Sequence, residues 1–423
     1  MNVAAYIHIP FCARKCLYCD FTSCAGKEDL HQPYVAAVRA EIRRAAARFP
    51  GTGISTIYFG GGTPNLLSAQ QLGGILDEVR RGFKVDEDAE VSTEANPGVT
   101  SGGGDAARGR HGEEELPTLN TQRSTLNDLR DAGFNRLSLG VQSFNDDELR
   151  LLGRIHTADE AVYEIDAARL AGFDNLNIDL MYAIPGQTLE SWQDTLRQAI
   201  DLGPEHVSLY SLTVEEGTPF HAMQVEGKLS LPSSDTEADM YEDAIGMLTD
   251  AGFVHYEISN FALPGRECRH NLTYWRNEPY FGFGAGATGF LPAAGESGKA
   301  KVERGQMGPA AKPLTQHETR STNVPSVEDY IRLIDADESP VESQERLVDR
   351  AAMGETMFLG LRMLDGVDVP AFLRRYGVLP QEIFASQIAD LTARGLIIAT
   401  LLRVRLTETG LFLGNDVFAE FVG

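Results

Sequence analysis

The segment Tyr6-Ile-His-Ile-Pro-Phe-Cys12-Ala-Arg-Lys-Cys16-Leu-Tyr-Cys19-Asp-Phe21 places three cysteines at intervals of four and three residues. Its apolar start predicts a short strand, which Pro10 ends, so the cysteines are expected on a loop that leaves the strand. Structural zinc sites and fully protein-ligated clusters take four protein ligands, whereas three thiolates leave one iron of a cubic cluster open. The spacing therefore favours a [4Fe–4S] cluster with an open iron.

Two other uses of the cysteines follow from the residues alone. A three-cysteine zinc site could be completed by His8, Asp20 or Cys24, and this alternative stays open. A disulfide framework is not favoured, because five cysteines in 423 residues are few and odd in number. Cys268 suits a small buried hydrophobe better than a ligand.

Length and composition limit the class of protein. A chain of 423 residues is expected to hold two or three domains. The net charge of −24 argues against nucleic acid as a partner and against adsorption to an anionic membrane. We expect no signal peptide and no membrane span, and exposed thiolates indicate a cytoplasmic location.

A repeated pattern predicts a parallel sheet. Helices that end in Ala-Gly, at Gly133, Gly172 and Gly252, are each followed within a few residues by a strand. Repeated helix–Gly–strand units are typical of a parallel α/β sheet. Strands predicted near residues 6, 55, 90, 136, 176, 207 and 254 give six or seven units, fewer than the eight of a closed barrel.

Other segments depart from this pattern. Residues 100–124 and 293–325 have little apolar periodicity and are predicted to be surface insertions. From residue 346 onward, helices followed by a hairpin at residues 396–407 predict a small α+β unit that resembles a winged helix. Because this unit is not basic, we expect a packing or recognition role for it instead of DNA binding. The predicted domains are residues 1–260, 261–345 and 346–423.

Polar residues and glycines lie where the predicted parallel strands end, the edge at which barrel enzymes keep their sites. In the order of the chain they are Gly60-Gly61-Gly62-Thr63-Pro64, Glu94, Gln142 and Asp179. Glycines at a strand exit would let backbone groups approach a ligand's ammonium group. Strand alternation puts Asn177 and Asp179 on one face, which must line a wet cavity, a ligand or a set of internal hydrogen bonds.

The chain resembles the HemN/HemW group of radical S-adenosylmethionine (SAM) proteins. The resemblance covers nearly the whole chain apart from the two insertions. It rests on the cysteine segment and on Phe-Gly-Gly-Gly-Thr-Pro64, Glu94-Ala-Asn-Pro, Leu-Ser-Leu-Gly-Val-Gln142-Ser-Phe, Leu-Gly-Arg154-Ile-His and Asn-Ile-Asp179-Leu-Met-Tyr-Ala-Ile-Pro-Gly-Gln-Thr. It implies a partial (β/α)6-type radical SAM barrel with a small winged-helix-like C-terminal domain.

The resemblance also implies the site residues and their chemistry. Cys12, Cys16 and Cys19 would hold the [4Fe–4S] cluster. SAM contacts are implied at Tyr6, Tyr18, Gly61, Gly62, Thr63, Glu94, Gln142, Arg154 and Asp179. The chemistry implied is electron transfer from the reduced cluster to the SAM sulfonium, which splits the S–C5′ bond.

Two branches of the group differ in ways that this sequence can display. In the oxidase branch a further cysteine lies two residues after the third, whereas this chain has Phe21 at that position. The oxidases also have a substantial segment before the cluster motif, whereas the motif of this chain begins at Tyr6. His270-Asn271-Leu-Thr-Tyr274-Trp275 is similar to a motif of the chaperone branch, which implies haem binding by these residues. An imidazole beside flat aromatic rings suits a haem, although the residues alone favour an ordinary core patch.

The resemblance therefore implies a haem chaperone that binds haem and delivers it to apo-haemoproteins such as respiratory haem enzymes. The alternatives are an oxygen-independent coproporphyrinogen III oxidase and another radical SAM reaction on a tetrapyrrole. We expect SAM binding without coproporphyrinogen oxidase activity, and a homodimer is compatible with the sequence.

Overall fold

The computed structural model of the chain describes residues 2–99, 119–292, 318–347 and 349–422. The strands of these residues are β1 (Asn2–Ile9), β2 (Phe11–Cys12), β3 (Cys24–Ala25), β4 (Gly53–Gly61), β5 (Lys84–Ala95), β6 (Arg136–Gln142), β7 (Leu176–Tyr182), β8 (His206–Ser211), β9 (Val254–Glu257), β10 (Asn260–Ala262), β11 (Tyr280–Phe283), β12 (Thr288–Pro292), β13 (Glu318–Asn323), β14 (Val341–Leu347), β15 (Val367–Asp368), β16 (Ile397–Ala399) and β17 (Arg403–Leu406). The helices are α1 (His31–Arg48), α2 (Ala69–Gly82), α3 (Leu119–Ala132), α4 (Asp146–Leu152), α5 (Ala158–Leu170), α6 (Leu189–Asp201), α7 (Pro219–Val225), α8 (Ser234–Asp250), α9 (Arg269–Trp275), α10 (Val327–Asp335), α11 (Asp349–Gly360), α12 (Val369–Tyr376), α13 (Pro380–Ile383), α14 (Ala385–Ala393), α15 (Glu408–Phe412) and α16 (Gly414–Ala419). Short 3-10 helices lie at Glu28–Leu30 and Pro64–Leu66.

The predicted partial barrel is confirmed. Strands β1, β4, β5, β6, β7 and β8 lie side by side and pair in parallel, so six strands of the main sheet form the (β/α)6 unit. Helices in the crossovers, from α1 to α6, return the chain to the same end of the sheet, as parallel pairing requires. The carboxyl ends of the strands therefore share one edge.

The seventh predicted unit is wrong. The strand near residue 254 is β9, which pairs antiparallel with β10, and β10 pairs antiparallel with β8. Residues 258–259 join β9 to β10 as a hairpin, too short a connection for the helical crossover of a parallel unit.

Local sequence signals explain the helix ends. Gly133, Gly172 and Gly252 have φ of 103°, 87° and 93°, the left-handed conformation that the repeated Ala-Gly predicts at helix C-termini. At the other end of α2, Ser68 and Gln71 form a capping box. These signals act within one turn of helix, so the sequence alone could locate them.

The two predicted insertions fall mostly on residues 100–118 and 293–317, which lie outside the described residues. The parts of these segments that the structure describes belong to regular elements. The first ends in the start of α3, and the second ends in β13, which pairs with both β12 and β14. The sequence of β13, Glu-Thr-Arg-Ser-Thr-Asn, has no apolar alternation, so its pattern did not predict a strand.

A second apolar core belongs to the C-terminal unit, residues 349–422. It is centred on buried side chains such as Met357, Phe372, Leu391 and Val404. The predicted hairpin is confirmed, since β16 and β17 pair antiparallel and β15 completes a three-stranded sheet. The domain boundaries themselves stay predictions. No helix among the described residues is long and apolar enough to cross a membrane.

Candidate functional site

The three cysteines of the predicted cluster are half-buried, with Cys12 at the end of the short strand β2 and Cys16 and Cys19 on the loop that follows it. The backbone N–H of Cys19 donates to the carbonyl of Cys16 at 3.3 Å, which folds the loop back on itself. Burial raises the pKa of both the Cys12 and Cys19 thiols, and the nearby Cys16 thiolate raises them further. Three mutually repelling thiolates fit a site whose ligand brings positive charge, as an iron–sulfur cluster does.

Two side chains donate hydrogen bonds to these sulfur atoms. Thr63 Oγ1 lies 3.7 Å from Cys12 Sγ, and Arg154 Nη1 lies 3.6 Å from Cys16 Sγ. The positive charge of this guanidinium also lowers the pKa of the Cys12 thiol, against the effect of burial. The donor set therefore fits the predicted cluster.

The zinc alternative has less support from the neighbouring side chains. Among the described residues, no three His, Cys, Asp or Glu side chains are placed to hold one metal ion, and because this includes the three cysteines themselves, it does not separate zinc from the cluster. The ring nitrogens of His8 are 3.0 Å from the Tyr6 hydroxyl and 2.8 Å from the Thr22 carbonyl oxygen. His8 would have to give up one of these contacts to ligate a metal.

The triple glycine at the end of β4 holds the cysteine loop against the barrel. A Cβ on Gly61 would lie 2.3 Å from the ring of His8, and one on Gly62 would lie 2.6 Å from the carbonyl oxygen of Phe11. The N–H of Gly62 donates to the Ile9 carbonyl at 2.8 Å. The space in which side chains would lie is therefore filled by the protein itself, and the predicted approach of a ligand to the backbone of these glycines stays a prediction. The glycines allow close backbone packing between strand exit and cysteine loop.

Glu94 is the carboxylate nearest this turn. Its oxygens accept hydrogen bonds from the Tyr58 hydroxyl at 2.9 Å and from the Gly61 N–H at 3.1 Å. Burial, together with the charge of Asp179, raises the pKa of Glu94 to about 7. A carboxyl whose pKa is near 7 and that already accepts from two donors suits the binding of an amino group, whose N–H groups would favour the ionised carboxylate.

Asp179 lies on the polar face that strand alternation predicts. It accepts hydrogen bonds from Ser138 Oγ at 2.9 Å and from Asn177 Nδ2 at 2.8 Å. Burial raises its pKa. The Asn177 amide oxygen lies in turn 3.1 Å from Ser208 Oγ and 2.6 Å from His206 Nδ1. Internal hydrogen bonding, one of the uses predicted for this face, is therefore present, and contact between Asp179 and SAM stays a prediction.

Arg154 connects the strand ends to the cysteines. Its Nη2 donates to the Asn96 side-chain oxygen at 2.6 Å and to the Gly140 carbonyl at 2.5 Å. Asn96 Nδ2 donates to Thr63 Oγ1 at 2.8 Å, which completes a path of hydrogen bonds from Cys16 to Cys12. Asn96 was not predicted as a site residue, although it belongs to the Glu-Ala-Asn-Pro motif.

The other predicted SAM positions lie around this centre. Gln142 is a buried non-glycine residue with φ of 70°, at a register shift in the pairing of β6 with β7. Such a conformation costs energy and is common at binding sites. The rings of Tyr6 and Tyr58 stack with centroids 6.3 Å apart, and Tyr18 packs against Phe220.

The haem motif of the sequence forms α9, in which His270 faces the barrel and Trp275 faces the C-terminal unit. His270 is 1% exposed, and its ring nitrogens lie 2.9 Å from Thr56 Oγ1 and 2.8 Å from the Tyr274 hydroxyl. Burial, aided by the charge of Arg136, lowers the pKa of His270 to about 3. Iron ligation by this imidazole would require one of the two hydrogen bonds to open.

His270 also contacts the SAM side of the barrel. Its ring stacks on Tyr58 with centroids 5.1 Å apart, and Tyr58 is the donor to Glu94. Trp275, by contrast, lies next to the C-terminal unit, where the guanidinium of Arg362 is 4.5 Å from the centre of its ring. Tyr58 and Arg362 carry no local sequence signal that would have marked them.

Comparisons with known proteins agree with this geometry. Residues 6–199 match the model of the radical SAM superfamily, and residues 348–413 match that of the HemN C-terminal domain. The chain is 37% identical to a protein described as heme chaperone HemW of Bacillus subtilis over 421 residues, which is 99% of each chain. It is 40% identical to heme chaperone HemW of Escherichia coli over 288 residues, covering 68% of this chain and 70% of the relative.

A solved structure with a similar fold is coproporphyrinogen III oxidase (HemN) from Escherichia coli, described as a radical SAM enzyme. The two superpose with a TM-score of 0.76 at 24% identity, covering 100% of this chain and 90% of the other. This likeness supports the fold and carries no conclusion about activity.

Proposed function

This chain belongs to the heme chaperone HemW family of radical SAM proteins, and from that premise we propose that it binds haem and delivers it to apo-haemoproteins. The observation that carries the proposal is identity along essentially the full length of relatives with that description. Phe21 and the His270-to-Trp275 motif, both features expected of the chaperone branch, support it.

We propose that Cys12, Cys16 and Cys19 hold a [4Fe–4S] cluster and that the residues around Glu94 bind SAM. Such a cluster, with one iron left open, would bind SAM and supply the electron for its reductive cleavage. Glu94, held by Tyr58 and Gly61, would accept hydrogen bonds from the amino group of SAM. Arg154 supports the Cys16 thiolate and ties the cysteine loop to the strand ends through Asn96.

The haem contacts are assigned to α9, with His270, Asn271, Tyr274 and Trp275 as the proposed residues. Recipients such as respiratory haem enzymes, a homodimer and a cytoplasmic location belong to the same proposal. Thiols that must stay reduced to ligate iron support the location.

Haem titration of the reconstituted protein tests the function. We expect near one haem per chain, seen as a saturating Soret band, and transfer of that haem to an apo-haemoprotein. We also expect no conversion of coproporphyrinogen III to protoporphyrinogen IX in the presence of SAM and reductant. Measured turnover would replace the chaperone assignment with the oxidase alternative.

Substitutions in α9 test the motif. Trp275→Ala is expected to weaken haem retention by about two- to tenfold with little spectral change, because the indole supplies ring contact and no iron ligand. The measurement is haem affinity and Soret position, with Tyr274→Phe as the companion variant because it frees the His270 ring nitrogen.

His270→Ala separates ligation from packing in the same assay. A shifted or lost Soret band, together with a retained band in Tyr274→Phe, would assign the imidazole to the iron. Unchanged spectra and affinity in His270→Ala would remove this residue from the haem site and leave it as a core side chain.

A further inference from the structure

A cavity of about 330 Å³ lies between α9 and the C-terminal unit. Its apolar lining comes from both sides, with Trp275 on the barrel side and Met363, Val367, Ala371 and Phe372 on the other. This volume is at the lower end of the range of about 300–1,000 Å³ in which ligand pockets usually fall.

The cavity walls are fixed by hydrogen bonds that join the C-terminal unit to the barrel. The N–H of Ile258 donates to the Arg362 carbonyl, and the N–H of Leu364 donates to the Tyr256 carbonyl, both at 3.1 Å. On the other side, Arg375 Nη1 donates to the Asn277 carbonyl at 2.7 Å. The cavity is therefore formed before any ligand enters, which lowers the cost of binding.

Trp275 has a polar group that the protein does not satisfy. Its indole Nε1 is buried and finds no hydrogen-bond acceptor among the described residues. An unpaired buried donor costs free energy that a ligand's acceptor would recover. Arg362 lies over the ring and strengthens the wall by a cation–π contact.

Arginines surround the apolar lining. Arg276, Arg375 and Arg403 are at the cavity, with Glu278, Asp365 and Asp368 as the opposing carboxylates. Arg375 is already engaged, because its Nη1 donates to the Asn277 carbonyl and its Nη2 pairs with Glu318 at 2.5 Å. Arg403 pairs with Asp368 at 3.1 Å, and both side chains are more than 40% exposed, so this pair is weak and can open. An occupant with a flat apolar body and carboxylates on its edge matches this arrangement.

We propose that the cavity beside Trp275 takes the macrocycle of haem, with the C-terminal unit forming half of the site and with Arg276 and Arg403 contacting the propionates. The inference rests on the proposed haem-chaperone function and, of the α9 residues assigned there, puts Trp275 in contact with the macrocycle, while the spectra of His270→Ala decide whether His270 contacts it as well. A cavity smaller than the whole ligand leaves part of the ring exposed, where an acceptor protein can reach it.

Filling the cavity tests the inference. Ala371→Phe puts a ring into the space, and we expect haem affinity to fall by about tenfold or more because the macrocycle is excluded. Ala389→Phe adds the same group on the exposed side of α14 and is the matched control. Haem titration by Soret absorbance is the measurement, with Tm and iron content reported for each variant.

A second variant keeps the test independent of folding. Arg403→Gln is on the surface, and we expect it to weaken binding of haem but not of haem dimethyl ester, whose carboxylates carry no charge. Equal haem affinity in Ala371→Phe and Ala389→Phe, or equal loss of both ligands in Arg403→Gln, would overturn the cavity as the site. Absence of haem binding by the unmodified chain would instead reject the proposed function.

Discussion

Anaerobic reconstitution of a Cys16→Ser variant is expected to give no [4Fe–4S] cluster, against about four irons per unmodified chain. A serine hydroxyl ionises far less readily than a thiol and is a poor ligand for iron. At this position the Arg154 guanidinium also loses the sulfur that it contacts at 3.6 Å. The same loss is expected for Cys12→Ser and Cys19→Ser, measured as iron and sulfide content and by EPR.

Cys24→Ser is the matched control for cluster assembly. Cys24 is paired through its backbone with Phe11 and lies near the same loop, yet it is outside the three-cysteine spacing. We expect normal iron content and an EPR signal that shifts on addition of SAM. Unmodified protein that binds zinc and takes up no iron would contradict the cluster itself.

SAM affinity is expected to rise as the pH increases through about 7. The raised pKa of Glu94, about 7, means that its carboxyl is mostly neutral below this pH and mostly ionised above it. The ionised carboxylate accepts hydrogen bonds from the amino group of SAM more strongly than the neutral carboxyl does, so binding is weaker on the acid side. The measurement is SAM affinity between pH 6 and 8.5 in cluster-loaded protein, and Glu94→Gln is expected to bind weakly with no such rise.

Glu94→Gln keeps the shape of the side chain and removes its charge. A hydrogen bond to a charged group contributes about 1.5–3 kcal/mol to binding, and this contribution is lost in the variant. A loss of tenfold or more in SAM affinity is therefore expected. Asp179→Asn is the companion on the neighbouring strand. Unchanged SAM affinity in both variants, with iron content intact, would mean that the polar barrel face serves internal hydrogen bonding alone.

Short-range signals were enough to determine much of this protein. The cysteine spacing, the strand that Pro10 ends and the Ala-Gly helix ends involve residues within a few positions of each other, so their geometry follows from the local chain. The predicted strand pattern placed Glu94, Gln142 and Asp179 where parallel strands end. In the structure Gln142 is the last residue of β6 and Glu94 is next to the last of β5, whereas Asp179 lies in the middle of β7.

Contacts between distant segments were decided by the tertiary structure alone. Tyr58 donates a hydrogen bond to Glu94, 36 residues away in sequence, and stacks on His270, 212 residues away. No local sequence pattern identifies Tyr58 as part of the site. The same holds for β13, which is a strand because β12 and β14 flank it and not because of its polar sequence. The packing role of the glycine turn also depends on distant residues, since the atoms that fill the space beside Gly61 and Gly62 belong to His8 and Phe11. Which side chains line the same cavity depends on how elements that are distant in sequence pack together. Local sequence patterns do not contain the distances between such elements.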